Sequence, residues 1–186
     1  LAPTALAGDR TPSGDKQDDV LAGHSYHGEA FNEGPRQKAY LMEGTGKVHF
    51  RATTDNPQAQ AFVDQGVGQL HGFWYFEAER SFRQAAALDP NCAIAYWGMA
   101  MANTKNEKRA RGFIAEAVKR NTDITDREIL YIDALEAYLK AGDADDKAPD
   151  DEVPDEIEKS RRQAYVKALE EIIYHHPDDL EAKAFM

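Results

Sequence analysis

The chain has 186 residues, 42% hydrophobic and 30% charged, with a net charge of −11, a balance that suits a globular body of ordinary size. No run approaches the roughly 18 apolar residues that a membrane-spanning helix needs, and the acidic excess opposes the cationic field that nucleic-acid phosphates attract. A single cysteine, Cys92, excludes an internal disulfide, a cysteine-rich zinc site and a CxxCH haem attachment.

Residues 1–7 read LAPTALA, and Ala5-Leu6-Ala7 ahead of polar Gly8-Asp9-Arg10 resembles the small-x-small end of a secretory signal peptide. Residues 1–23 are therefore expected to be a signal-peptide remnant and a disordered lead-in, which places the protein outside the cytoplasm, periplasmic or secreted. Residues 24–55 predict an extended or irregular strap. It carries a turn at Glu33-Gly34-Pro35, a short amphipathic stretch from Arg36 to Met42 that can start a helix at Pro35, and a break at Gly44-Thr45-Gly46. From Lys47 to Ala52 the residues alternate, with Val48 and Phe50 on one side and Lys47, His49 and Arg51 on the other, as in an extended segment laid against a surface.

From Asn56 the pattern is helical, and residues 56–142 predict five helices. Asn56 is an N-cap with Pro57 at the first helical position, and Phe62, Val63, Gly66, Val67 and Leu70 form a stripe that ends at Gly72. A second helix is expected from Tyr75 to Leu88 with Phe76, Ala78, Phe82, Ala85, Ala86 and Leu88 inward, stopped by Asp89-Pro90-Asn91. A third follows from Cys92 to Met101 and a fourth from Glu107 to Arg120. Thr125 and Glu128 form a capping box for a fifth, closed by Gly142. Residues 141–160 hold nine acids against two lysines, so most of the net charge lies there, and 143–155 reads as a solvated acidic linker. Residues 156–186 predict a long helix to His175 and the start of a seventh after Pro177. DDLEAKAFM runs to Met186 with no stop signal, so an unfinished stack is expected.

Helices of one size separated by Asp-Pro or His-Pro turns call for a repeat test. Phe62, Gly66, Ala78, Phe82, Ala85 and Pro90 stand at the spacing of a 34-residue unit, with small residues where antiparallel helices approach and aromatics beside them. A shift of 34 puts Tyr96 and Ala100 where Phe62 and Gly66 stand. Over residues 58–104 the chain resembles the tetratricopeptide-repeat family. Its wording from Gln65 to Asn103 is similar to bacterial exported repeat proteins without a well-defined activity. Gly112 and Glu116 depart from the pattern in the second unit, and Tyr165, Leu169, Ile172 and Pro177 resume it after the acidic linker. The resemblance implies an all-α, right-handed solenoid of antiparallel helix pairs, acting as a non-catalytic interaction or scaffold module that binds a protein or peptide, as one part of a larger assembly.

Carried over residue by residue, the binding groove is expected at Gln60, Val63, Val67, Leu70, His71, Ile94, Trp97 and Met101. A face that apolar must be covered. Either segment 24–55, with Phe31, Tyr40, Leu41, Val48 and Phe50, lies in it, or a partner does; the strap is favoured because the isolated chain must also satisfy the face.

Other chemistry is weaker. His24 and His27, with His49, suggest zinc or copper in an accessory subunit, but a pair of histidines falls short of the three or four ligands such ions take. His71 near Glu77 or Glu79 reads better as a helix C-terminal histidine than as a general base. The aspartates of 143–155 fail the calcium-loop pattern at Lys147, Ala148 and Pro154, and Gly44-Thr45-Gly46-Lys47 is no phosphate loop.

Overall fold

The computed structural model of the chain describes residues 38–141 and 155–186. Those residues form seven helices and no strand: α1 (Pro57–His71), α2 (Tyr75–Leu88), α3 (Ala93–Met101), α4 (Glu107–Val118), α5 (Asp126–Lys140), α6 (Asp155–His175) and α7 (Leu180–Ala184). The all-α expectation holds. None of these helices is long and apolar enough to cross a membrane.

Local capping explains most helix starts. Asn56 Oδ1 accepts from the amides of Gln58 and Ala59, and Pro57 follows at N1. Thr125 and Glu128 make the reciprocal capping box on α5, and Asp179 caps α7 through the amides of Glu181 and Ala182. Gly142 and most of the acidic segment lie outside the described residues, and α5 ends at Lys140. Asp155, placed by sequence in the linker, is the first residue of α6.

Each helix packs on the next along the chain, and α1–α3 and α3–α5 also touch. Phe82 of α2 is the wedge of this arrangement. A Cβ on Gly66 of α1 would stand 2.7 Å from its ring, and one on Gly98 of α3 would stand 2.3 Å from it. Both glycines are therefore required by close approach. The 34-residue register points to Ala100 as the next small residue, yet Gly98 is the one that receives the ring.

Two expectations are corrected. Residues 38–42 are not helical; the Gln65 side chain satisfies the Tyr40 carbonyl and the Met42 amide, and so short a helix could not offset its own nucleation. Gly44 and Gly46, with φ of 87° and 93°, then turn the chain. Phe76 does not face inward but is 51% exposed. It lies two residues, about 200° of helix rotation, before Ala78, whose face is buried beside Phe82, Ala85 and Ala86.

Candidate functional site

Of the eight residues expected to line a groove, Val63, Val67, Leu70, Ile94 and Trp97 are buried, and Gln60, His71 and Met101 are half-buried. Their face is therefore not open. Two segments of the chain itself lie against it.

The first cover is residues 38–55. The alternation read from sequence is present: Phe50 and Ala52 are buried and Val48 half-buried, while Lys47, His49 and Arg51 are exposed. Two glutamines of α1 grip its extended backbone in the same way. Gln65 donates to the Tyr40 carbonyl at 3.0 Å and accepts from the Met42 amide at 2.6 Å. Gln60 donates to the Phe50 carbonyl at 2.9 Å and accepts from the Ala52 amide at 2.9 Å. Each primary amide thus pairs with the carbonyl of residue i and the amide of residue i+2, as a neighbouring peptide would in a sheet. Asp64 between them accepts from the Phe50 amide at 2.9 Å and lies 3.2 Å from His49 Nδ1. Where the segment crosses α1, a Cβ on Gly68 would meet the Thr45 carbonyl at 2.2 Å.

Phe50 anchors the segment. Its ring stacks on Trp97 at 5.1 Å, meets Tyr131 edge-on at 4.9 Å and lies under the Arg127 guanidinium at 4.3 Å. Next to it, the buried Glu128 carboxylate accepts from the amide and hydroxyl of both Thr53 and Thr125. One capping residue therefore opens α5 and holds the incoming segment.

The second cover is α7. Asp179 accepts from Arg127 Nε at 2.6 Å and the Tyr131 hydroxyl at 3.0 Å, Glu181 lies 2.5 Å from His71 Nε2, and Phe185 stacks on His71 at 4.6 Å and meets Trp97 edge-on. His71 thus pairs with Glu181 rather than Glu77 or Glu79. Burial pushes the Asp179 carboxyl up, but hydrogen bonds from Arg127 and the Ala182 amide outweigh it, and its pKa lies below the ordinary value. The sign follows. The contribution of Asp179 is complete above its unfolded pKa, about 4, and is lost as the pH falls through the lower folded value. Acidification from pH 7 to 3 is expected to weaken α7 docking, read as near-ultraviolet dichroism of Trp97. Asp179→Asn should flatten that dependence, and an unchanged acid profile in this variant contradicts the assignment.

The catalytic and metal readings gain no geometry. Burial pushes the Cys92 thiol up to about 12, far from a nucleophile's range. His49 faces Asp64, His24 and His27 lie outside the described residues, and no group of three or more metal-capable side chains occurs among the described ones. An open cleft of about 880 Å³ between Thr53–Pro57 and Lys119–Ile124 holds the Thr54 hydroxyl, which donates to the Asp89 carboxylate, and another of about 550 Å³ lies near His49 and His176.

Sequence reading missed Asp64, Gln65, Arg127, Asp179 and Phe185, and it read Glu128 as a cap without its bonds to Thr53. One signal was available: Gln60, Gln65 and Gln69 flank the apolar stripe of α1, and buried amides need partners. No protein-family model, curated protein or solved structure matched the chain.

Proposed function

We propose that the protein is a non-catalytic interaction module of the tetratricopeptide type, a right-handed solenoid acting outside the cytoplasm, whose groove holds an extended peptide backbone. The observation that carries this reading is the paired grip of Gln60 and Gln65. Each amide engages backbone atoms two residues apart, a form of recognition that takes any sequence in an extended conformation. The aromatic box around Phe50 then adds a preference for a ring at one position.

In the isolated chain the strap fills this site. A partner segment competes with an intramolecular ligand at high effective concentration, so binding is weak until the strap is displaced. Gly68→Ala supplies the test, since its methyl group cannot coexist with the Thr45 carbonyl. The variant is expected to lose hydrogen-exchange protection at residues 40–52 and to bind extended peptides with an aromatic residue more tightly than the wild type. If the strap exchanges freely in the variant and no peptide binds to α1 and α3, the groove reading fails.

A further inference from the structure

The turn from α1 to α2 puts four consecutive aromatic side chains into solvent. Phe73, Trp74, Tyr75 and Phe76 are 76%, 60%, 39% and 51% exposed, whereas single scattered apolar residues are the norm on a soluble surface. Phe76 was expected to face inward, and the structure turns all four rings outward.

The backbone adds an independent observation. The Trp74 amide donates to the Gln69 carbonyl and the Phe73 amide to the Leu70 carbonyl, the two bonds of a Schellman helix end. The residue at its left-handed position is ordinarily glycine. Here it is Phe73, with φ of 59°, the one non-glycine residue of positive φ among the described residues. Gly72 stands one position early, at φ −79°, where glycine is not required. The chain thus accepts a strained phenylalanine, and the ring is not held for packing: it is three-quarters exposed, against an edge-on Tyr75 at 6.3 Å. Strain kept by an exposed side chain points to a use outside the fold.

We propose that this turn is a shallow anchor for the interfacial region of an electrically neutral lipid bilayer. Trp and Tyr rings, apolar with one polar edge, favour the headgroup level, and phenylalanine follows beneath it. The four side chains expose roughly 500 Å², and Tyr40, whose ring faces Arg80 at 5.8 Å, adds too little to reach the ~800 Å² per partner of a stable dimer. A lipid interface needs neither that area nor a complementary shape. Charge selects the lipid. Glu77 and Arg80 beside the turn pair at 2.7 Å, and the chain's net charge is −11, so the turn offers no cationic cluster for anionic headgroups.

The two tryptophans make the test specific. Trp97 is fully buried and Trp74 exposed, so a change in indole emission on adding vesicles reports Trp74. With phosphatidylcholine vesicles the full chain is expected to co-sediment and to show a blue-shifted, less quenchable emission. Phe73→Gly relieves the left-handed strain, so it should keep or raise Tm while weakening partitioning by roughly tenfold; Phe76→Gln should weaken it without the gain in Tm. Three outcomes overturn the proposal: no shift and no co-sedimentation at millimolar lipid, binding restricted to anionic vesicles and abolished by salt, or a dimer of the wild type that Phe73→Gly dissolves.

Discussion

Replacing Phe50 with alanine is expected to destabilise the protein by about 3–5 kcal/mol, the cost of removing a fully buried phenylalanine, and to lower Tm by roughly 10 °C. The ring is 0% exposed and sits between Trp97 of α3 and Tyr131 of α5, with Arg127 above it. Its removal leaves a cavity whose walls come from different helices, so no one side chain can move in to close it. The loss should be local in secondary structure and broad in tertiary structure. Helix dichroism persists at low temperature, the near-ultraviolet signal of Trp97 falls, and residues 38–55 become accessible to protease. Phe50→Leu keeps most of the volume and should recover more than half of the loss. Equilibrium unfolding in urea measures both variants, and a loss below about 1 kcal/mol for the alanine variant contradicts the anchoring role of Phe50.

Replacing Glu79 with glutamine is expected to cost about 3–5 kcal/mol, although it changes almost no volume, because it takes the carboxylate away from two buried guanidinium groups. Glu79 Oε1 accepts from Arg83 Nε at 2.7 Å and from Arg109 Nη2 at 2.5 Å, and Oε2 accepts from Asn103 at 2.8 Å. Asn103 returns its carbonyl oxygen to Arg109 Nε at 3.0 Å. All four residues are buried, and both guanidinium groups lie over the Phe113 ring. The network bolts α2 to α4 through the turn after α3. Shared partners make its members non-additive: Glu79→Gln combined with Arg109→Met should cost less than the two losses added together. Full additivity would mean that the carboxylate and Arg109 act separately.

The buried network is also where sequence reading fell short. Lys105, Lys108, Arg109 and Arg111 form one basic stretch of the sequence, yet Arg109 is 0% exposed. On α2 the small-large-small series of Ala78, Phe82 and Ala85 was legible, while Glu79, Arg83 and Gln84 gave no sign of being buried, as they are. Charged residues are buried only when paired, and besides Arg83, one turn on, the partners of Glu79 lie 24 and 30 residues away. The helix starts were legible for the opposite reason. Asn56 and Thr125 act on amides two or three residues ahead, within reach of any local reading.

The expected groove divides the same way. Its residues fall on α1 and α3, and its apolar character implied a cover. The alternation of Val48 and Phe50 marked one cover, because period two is a local property of an extended chain. Nothing local marks Glu128 as the receiver of Thr53, 75 residues upstream, or Glu181 as the partner of His71, 110 residues away. By itself, then, the sequence determined the all-α class of the described residues, most helix caps and stops, and small residues at which helices touch, since those depend on steric and hydrogen-bonding rules within one or two turns. Only the tertiary structure decided which polar side chains are buried, what lies over α1 and α3, and that the aromatic turn faces outward, because each depends on which distant surfaces meet.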